Sequence, residues 1–300
     1  MSNININQIL SHLTSKDISY TYEGPLDLYF IGIRSLNHFV DKSISFYRGD
    51  SPSIVMGNEL EGRLLVLKKS LAVYFINRNN ILFTENPDLV ICLIWELFET
   101  RVPLGVHPTA MVSDKALIQS NCSIGAFAVI GDNVELGNNV IIDECVVIKN
   151  CKIGDNTHIY PGVKIGSPGL GSHKDKHGVW HQFPHVGRVV IGKDVIIQDN
   201  SVIARGSLTD TIIDEGVHIG PLSWLAHNVN IKKNVLIGQS VTIAGSVVVG
   251  EGSIIWGNAS VRDGINIGTS CVIGMGAVVI KDVSNNTIIA GNPGYELRKK

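Results

Sequence analysis

Aliphatic residues recur at every sixth position along the C-terminal part of the chain, and a small or β-branched residue stands two places before each of them. The unbroken series is Ile213, Ile219, Leu225, Ile231, Ile237, Ile243, Val249, Ile255, Val261, Ile267, Ile273 and Val279. A repeat of this length predicts a parallel β-helix, in which three hexads make one triangular coil. The aliphatic residue points inward, the small residue fits the tight corner, and each coil is stabilised by its stacked neighbours.

The same spacing extends toward the N-terminus with two interruptions. It runs through Val112, Ile118, Ile124, Ile130, Leu136, Ile142 and Ile148, drops one residue, continues at Ile153, Ile159 and Ile165, and resumes at Ile191, Ile197 and Ile203. With three hexads per coil, these positions make about eight coils. The first interruption is the insertion Gly166 to Val190, and the second is a shorter bulge from Arg205 to Asp210. Long loops inside compact domains are often functional, so we expect chemistry beside these breaks.

The first hundred residues lack the hexad and predict a small α/β domain. An amphipathic helix is indicated by Ile6, Ile9, Leu10 and Leu13, and a second helix begins at Pro87 with Leu89, Cys92, Leu93 and Leu97 at helical spacing. Strands are expected at Leu28 to Ile33 and at Leu64 to Ile76. The predicted organisation is an α/β domain at 1–103, a β-helix at 104–284 and a short tail at 285–300.

Composition narrows the class of protein. A net charge of −2 and a pI near 6.5 give no general basic surface, so nucleic acid is not expected as a partner. No apolar run is long enough to span a bilayer, and the N-terminus lacks a signal-peptide pattern, so we expect a cytoplasmic protein. Five cysteines form no CxxC pair. Cys122, Cys151 and Cys271 fall at corner positions and are expected to pack as small hydrophobes.

His227 is the candidate catalytic residue. It lies two places after the inward Leu225, so the register turns it outward. Because one coil takes about eighteen residues, Gly245 and then Asp263 should stack beside it, and the glycine would leave room for a substrate atom. A neutral imidazole is the usual general base near pH 7. From position alone, a solvated surface histidine is the alternative.

The sequence around His227 resembles a known enzyme family. The segments GSPGLG, FPHVGRVVIG, ARGSLTDTII and LAHNVNI are similar to motifs of the UDP-3-O-acylglucosamine N-acyltransferases of lipid A biosynthesis, which are hexapeptide-repeat acyltransferases. The resemblance covers nearly the whole chain, since GIRSLNHF, ISFYR and NPDLVICLIWELFE resemble the family's small nucleotide-binding domain. It implies a left-handed β-helix, His227 as the catalytic base, and a homotrimer with clefts between subunits.

Three departures from the family pattern modify the predicted substrates. No second histidine follows Ala259-Ser260-Val261, and after the strand containing Phe46 and Tyr47 the family's Asn-Pro-x-Tyr is missing. The chain also stops soon after an AGNP segment, which resembles the C-terminal edge of hexapeptide transferases that use coenzyme A. These features predict acyl-CoA as a co-substrate, with no permanently bound cofactor or metal. The predicted acceptor is a UDP- or dTDP-linked amino sugar of the kind made for O-antigen or capsule.

Further residues are assigned to binding. Gly245, Gly257 and Gly274 would let a pantetheine arm lie against the backbone, although glycine also suits tight corners. Arg298 would meet the phosphates of coenzyme A, unless it is an ordinary solvated charge. The candidates for binding the sugar nucleotide are Phe46, Tyr47, His181, His185 and Asn228, the last of which would also orient the turn at His227.

Other functions remain open at this point. The lipid A enzyme itself, with acyl carrier protein as its donor, is the nearest alternative. A zinc hydratase of the γ-carbonic anhydrase type shares the β-helix, but His173/His177 and His181/His185 have the wrong spacing for that resemblance and lie in an insertion. A scaffold without catalytic activity is the fourth possibility.

Overall fold

The computed structural model describes residues 3–38, 40–52, 62–75, 80–98 and 103–299. The chain forms two compact units, Met1–Arg101 and Val102–Lys300. The first unit contains helix α1 (Ile6–Ser15), a 3-10 helix (Lys69–Tyr74) and helix α2 (Pro87–Phe98). Across these described ranges, no helix has the length and apolar content needed to cross a lipid bilayer.

A five-stranded sheet forms the centre of the N-terminal unit. The strands of this unit are β1 (Ile4–Asn5), β2 (Tyr20–Glu23), β3 (Tyr29–Phe30), β4 (Gly32–Ile33), β5 (Ser43–Tyr47), β6 (Leu64–Lys68) and β7 (Ile81–Thr84). The sheet order is β2-β7-β6-β5-β4, and β2–β7 is antiparallel while the other pairs are parallel. Side chains alternate along β6, so Leu64 and Val66 join a core with both helices while Leu65 and Leu67 join a second core.

Both predicted helices are present, and α1 begins with a capping box between Asn5 and Gln8. For α2 the predicted helix is right, and of its four residues at helical spacing Leu93 is buried and Leu97 packs against the core. Leu89 and Cys92 are exposed, whereas the helix buries Val90, Leu93, Ile94 and Phe98. The run from Leu89 to Phe98 is apolar on several sides, so helical spacing alone did not define the buried stripe.

Two strand predictions need correction. Leu28 to Ile33 is not one strand, because β3 pairs with β1 while β4 joins the five-stranded sheet. The strand predicted from Leu64 ends at Lys68, and the chain turns into the 3-10 helix instead. Ile76, the predicted end of that strand, lies outside the described residues.

The second unit is a parallel β-helix with three faces. Face 1 consists of β8 (Gly105–Val106), β11 (Ser123–Ile124), β14 (Ile141–Ile142), β17 (His158–Ile159), β22 (Ile196–Ile197), β25 (His218–Ile219), β28 (Leu236–Ile237), β31 (Ile254–Ile255), β34 (Val272–Ile273) and β36 (Thr287–Ala290). Face 2 consists of β9 (Met111–Val112), β12 (Val129–Ile130), β15 (Val147–Ile148), β18 (Lys164–Ser167), β23 (Val202–Ala204), β26 (Trp224–Leu225), β29 (Thr242–Ile243), β32 (Ser260–Val261) and β35 (Val278–Val279). Face 3 consists of β10 (Leu117–Ile118), β13 (Val134–Leu136), β16 (Cys151–Ile153), β21 (Val189–Ile191), β24 (Thr211–Ile213), β27 (Asn230–Ile231), β30 (Val248–Val249) and β33 (Asn266–Ile267).

The hexad register determines the stacking as predicted. On face 2, Leu225 pairs with Ile243 and Ile243 with Val261, one coil apart. The aliphatic residues of the series from Ile124 to Val279 are at most 2% exposed. The three corner cysteines are also buried, whereas Cys92 and Cys145 are exposed. Burial also raises the pKa of the Cys151 thiol well above its usual range, as expected for a packing residue.

Both interruptions of the repeat leave the stacking intact. The insertion contains an antiparallel hairpin, β19 (Ser172–Lys174) with β20 (Trp180–Gln182). The parallel ladder then resumes directly, since Cys151 pairs with Val189 across it. At the C-terminal end the parallel register continues beyond residue 284 into β36, and β37 (Tyr295–Lys299) pairs antiparallel with β36.

Candidate functional site

His227 occupies the turn that connects face 2 to face 3, and it is half-buried. The backbone N–H of Ser246 donates to the carbonyl of His227 at 3.0 Å, and the N–H of Gly264 donates to the carbonyl of Gly245 at 2.9 Å. A Cβ atom added to Gly245 would lie 2.8 Å from His227 Cε1 and 2.9 Å from its Nε2. The imidazole therefore lies directly against the Gly245 backbone, which confirms the predicted stacking of these two residues.

Asn228 holds the His227 ring, and its own amide is oriented by two independent partners. Its Oδ1 accepts from the Ser207 N–H at 3.1 Å and from the Ser207 hydroxyl at 2.7 Å. Its Nδ2 donates to the Thr209 carbonyl at 3.0 Å and reaches the Thr209 hydroxyl at 2.9 Å. Because a backbone N–H only donates and a carbonyl only accepts, the amide oxygen must face Ser207.

That orientation determines which nitrogen of His227 carries the proton. His227 Nδ1 lies 2.9 Å from Asn228 Oδ1, which is an acceptor, so Nδ1 is the protonated nitrogen of the neutral ring. The lone pair is then on Nε2, the nitrogen that lies against Gly245. A neutral imidazole with a fixed tautomer and a free Nε2 is the arrangement that a general base requires.

The two interruptions of the repeat meet below His227. Arg205 in the bulge donates from Nε to the Gly187 carbonyl at 2.6 Å and from its guanidinium to the Val186 carbonyl at 2.9 Å. In return, the N–H of Arg188 donates to Asp210 at 2.7 Å. These contacts join the end of the insertion to the bulge, and the bulge carries the Ser207 and Thr209 groups that orient Asn228.

His185 approaches His227 from the insertion. The two ring centroids are 5.3 Å apart with an interplanar angle of 71°. His185 is 8% exposed, and its Nδ1 lies 2.9 Å from the Phe183 carbonyl. Gly169 fits between the rings, since a Cβ there would lie 2.9 Å from His227 Cδ2 and 3.0 Å from His185 Nε2. The structure therefore brings together His227, Asn228, Gly245 and His185.

An open cleft of about 450 Å³ lies over His227. Its lining residues are Leu170, Trp224, Ala226, His227, Thr242, Ala244, Gly245, Ser246, Asp263 and Gly264. The side chains along its face 2 floor are small apart from Trp224, which leaves room for an extended substrate group. Within the described ranges, no group of three or more His, Cys, Asp or Glu residues is arranged to hold a metal ion.

Four other predicted site residues belong to the β-helix unit and do not line the cleft over His227. Gly257 and Gly274 follow face 1 strands, whereas Gly245 follows a face 2 strand. Within one protomer they therefore lie at a different corner of the triangular β-helix from Gly245. Arg298 is an exposed residue of β37 opposite Ile288. His181 is exposed in the hairpin, where its Nε2 lies 3.0 Å from Asp175. Phe46 and Tyr47 are half-buried on β5 of the N-terminal unit.

Ser207, Thr209 and Gly169 contribute to the site although the sequence did not single them out. Ser207 and Thr209 belong to the ARGSLTDTII segment, and Gly169 belongs to GSPGLG. Both segments were recognised as motifs, so the signal was present. Their roles depend on contacts between residues that are far apart in the chain, which no hexad count predicts.

Comparisons with known proteins identify a matching family model and several relatives of this chain. A family model described as the GMPPB C-terminal domain matches residues 106–206. The UDP-3-O-acylglucosamine N-acyltransferase of Coxiella burnetii is 33% identical over 243 residues, which cover 74% of this chain and 71% of that protein. The enzyme of the same name from Delftia acidovorans is 40% identical over 178 residues, covering 57% of this chain and 53% of that protein.

Solved structures give the handedness of the helix. The UDP-N-acetylglucosamine O-acyltransferase of Moraxella catarrhalis superposes with a TM-score of 0.60 over 65% of this chain and 74% of that one, at 24% identity. This likeness concerns the fold alone, and it establishes the predicted left-handed β-helix. The relative from Coxiella burnetii, at 33% identity over most of both chains, shows the family. The protein belongs to the UDP-3-O-acylglucosamine N-acyltransferases, a family of hexapeptide-repeat acyltransferases.

Proposed function

We propose that the protein transfers an acyl group to the amine of a nucleotide-linked amino sugar, with His227 as the general base. The observation that carries this proposal is the fixed tautomer of His227. Asn228 holds the Nδ1–H, and Nε2 remains free beside Gly245, at the floor of the cleft. The names of the relatives, which describe N-acyl transfer to UDP-3-O-acylglucosamine, support the same reaction class.

The proposed reaction begins when the amine nitrogen attacks the thioester carbonyl of the acyl donor. A C–N bond forms, the carbonyl π electrons move to oxygen, and His227 Nε2 takes one amine proton. As the tetrahedral intermediate collapses, the C–S bond breaks and the imidazolium returns that proton to the leaving thiolate. The Nδ1–H···Oδ1 bond to Asn228 stabilises the imidazolium throughout, because a hydrogen bond to a charged group is stronger than a neutral one.

For the acyl donor we propose acyl-CoA. The support is the AGNP segment and the exposed basic residues that follow it, Arg298 and Lys299, on β37. The O-antigen or capsule pathway follows from this donor and from the departures in the nucleotide-binding pattern around Phe46 and Tyr47.

The second candidate is lipid A N-acylation with acyl carrier protein as the donor. The observation in its favour is the name shared by relatives at 33–40% identity. The two candidates share His227 and differ in donor, so a donor comparison distinguishes them without any mutation.

The active assembly is proposed to be a homotrimer packed through face 1. Its outward positions include the apolar residues Ile141, Ile196, Leu236, Ile254, Val272 and Ile288. Face 3 is more mixed, since its corresponding positions are the polar residues Glu135, Lys152, Asn230 and Asn266 together with Leu117, Val190, Ile212 and Val248. Multi-angle light scattering should give three times the mass of one chain, and Leu236→Asp, placed in the apolar stripe, should reduce that mass.

The direct test is an acyl-transfer assay on the purified protein. UDP- and dTDP-linked amino sugars are each incubated with acyl-CoA or with acylated acyl carrier protein, and N-acylated products are identified by mass spectrometry. Product with acyl-CoA supports the first candidate, and product with carrier protein alone supports the second. If no pair yields product, or if His227→Ala retains the wild-type rate, the proposed function is wrong.

A further inference from the structure

Asp263 supplies the only carboxylate among the described residues that line the cleft over His227. Apart from His227, the remaining lining residues are all uncharged. Asp263 is exposed, and it forms no side-chain hydrogen bond or ion pair with another described residue, although Arg262 precedes it in the chain. A carboxylate without a partner gives the cleft a local negative charge, so the cleft favours a ligand group that is positively charged.

Asp263 stacks two coils above His227 at the same corner of the β-helix. The Ser246 N–H donates to the His227 carbonyl at 3.0 Å, and the Gly264 N–H donates to the Gly245 carbonyl at 2.9 Å. The column of stacked residues therefore runs from His227 through Gly245 to Asp263. Adjacent coils are about 4.8 Å apart, so the imidazole and the carboxylate begin from backbone positions about 9.6 Å apart along the axis. Gly245 places no side chain between them.

The free nitrogen of His227 is directed toward the upper part of this column. Its Nδ1 faces Asn228, whereas Nε2 and Cε1 are the ring atoms that lie nearest to Gly245 in the coil above. Beyond the ring the cleft continues to Asp263 and Gly264. A Cβ added to Gly264 would meet no atom within 4 Å, so the space beside Asp263 is open. A ligand in the cleft can therefore contact the carboxylate and approach His227 Nε2 from the same side.

We propose that Asp263 binds the acceptor amine and makes the cleft selective for substrates with a cationic amino group. The inference rests on the proposed function and names the chemical class that this site selects. Near pH 7 an amine with a pKa of about 8 is mostly protonated, so it binds as an ammonium ion. Its N–H donates to the carboxylate in a charge-assisted hydrogen bond, which is stronger than a neutral one. The same carboxylate repels phosphate groups, so the diphosphate of the acceptor extends away from Asp263.

Asp263 also stabilises the nitrogen during the reaction. The ammonium ion first releases one proton to water, because the attack on the thioester requires a lone pair on nitrogen. As the C–N bond forms, the nitrogen still carries two protons and becomes positively charged again. The carboxylate stabilises this charge until His227 Nε2 removes one of the two protons. The other proton remains as the N–H of the product amide, and Asp263 gains no proton in the cycle.

The test compares nucleotides that differ only in an amine or a hydroxyl at one carbon. The pairs are UDP-glucosamine with UDP-glucose, and the same two sugars linked to dTDP. Titration calorimetry on the full chain near pH 7 gives the ratio of dissociation constants within each pair, and at least one pair should show tighter binding of the amine. Asp263→Asn keeps the size of the side chain and removes its charge. It should reduce that ratio by about three- to tenfold, a modest effect because Asp263 is exposed.

Salt dependence provides a readout that a purely structural role would not change. Added salt should lower the wild-type ratio and leave the ratio of Asp263→Asn unaffected, because only the wild-type preference depends on a charge in the cleft. Asp263→Glu, which keeps the carboxylate, should retain most of the preference. Glu251→Gln is the matched control, since it removes an exposed carboxylate between a face 3 strand and a face 1 strand, and it should retain all of the preference.

Thermal melts show whether each variant is folded, and Asp263→Ala replaces Asp263→Asn if the latter does not fold. The proposal is overturned if neither pair shows a preference for the amine in the wild type, or if a folded variant without the carboxylate keeps the wild-type ratio. A preference for the amine without acyl transfer to any acceptor would overturn the proposed function alone.

Discussion

Two asparagines on the same edge of the β-helix share a backbone conformation but differ in the hydrogen bonds of their side chains. Asn133 and Asn228 both follow a face 2 strand and have left-handed backbones, with φ of 58° and 61°. Asn133 Nδ2 donates to Asn150 in the adjacent coil at 3.3 Å, an ordinary ladder contact between neighbouring turns. Asn228 instead contacts Ser207, Thr209 and His227. The backbone conformation is the same at both residues. The additional hydrogen-bond partners of Asn228 come from the bulge in the coil below it.

The comparison explains why asparagine at this position has two separate roles. Asparagine tolerates the left-handed conformation better than most residues, which suffices for Asn133 and for the similar turns at Asn121 and Asn139. At Asn228 the amide also has donors and acceptors within reach, because the repeat is interrupted there. The candidate site therefore lies where the hexad register is interrupted, and the regular coils on either side support it.

The largest expected effect is that of removing the base. His227→Ala should lower the rate of acyl transfer by about 10²–10⁴-fold, the usual contribution of a positioned general base. Its melting temperature should stay close to wild type, because the ring faces a cleft and not the core. His177→Ala, in the exposed turn of the hairpin, is the matched histidine control and should keep normal turnover. Equal losses in both variants would contradict the assignment.

A methyl group on the neighbouring coil should have the next largest effect. In Gly245→Ala the added carbon would lie 2.8 Å from His227 Cε1, so the ring must shift. Displacing a catalytic group by about 1 Å costs up to about 10²-fold in rate. Gly131→Ala is the control on the same edge, since its nearest neighbours are at 3.1 Å and 3.3 Å, and one is a flexible lysine side chain. Steady-state kinetics on both variants should show the loss only at position 245.

The comparison of asparagines can be tested directly with a pair of glycine variants. Glycine accepts the left-handed backbone, so Asn228→Gly removes the amide without straining the turn. We expect about a tenfold loss in kcat/KM, because His227 loses the acceptor that fixes its tautomer. Asn133→Gly should leave the kinetics unchanged. Nitrogen chemical shifts of His227 should report a mixture of tautomers in the first variant, and a single tautomer there would refute the positioning role.

Thiol labelling tests how closely the corners of the β-helix are packed. We expect no change in activity, which makes this the smallest of the predicted effects. Burial raises the pKa of Cys122 and Cys151, so their reactive thiolate forms are suppressed at neutral pH. We expect an alkylating reagent to modify Cys92 and Cys145 in the native protein, and the three corner cysteines only after denaturation. Peptide mapping by mass spectrometry identifies the modified residues. Rapid labelling of Cys151 in the folded protein would show that its corner is not closely packed.

Much of the β-helix was predictable from the sequence because every hexad has the same local structure, one short strand and one turn. An inward aliphatic residue and a small corner residue suffice to set the register, so Gly245 could be stacked on His227 by counting. The N-terminal unit was harder. The buried face of α2 and the 3-10 helix after Lys68 depend on which of several apolar residues meet the sheet, and that choice is made by packing between distant segments.

The features of the candidate site can likewise be separated into those that follow from the hexad period and those that depend on tertiary contacts. The sequence by itself determined the coil, the outward direction of His227 and the glycine beside it, because these follow from a local period. Only the tertiary structure decided that Ser207 and Thr209 orient the Asn228 amide, and that His185 and Gly169 reach the His227 ring from an insertion some forty to sixty residues away. Those contacts depend on how two interruptions of the repeat pack against each other, and a periodic pattern carries no information about its own breaks.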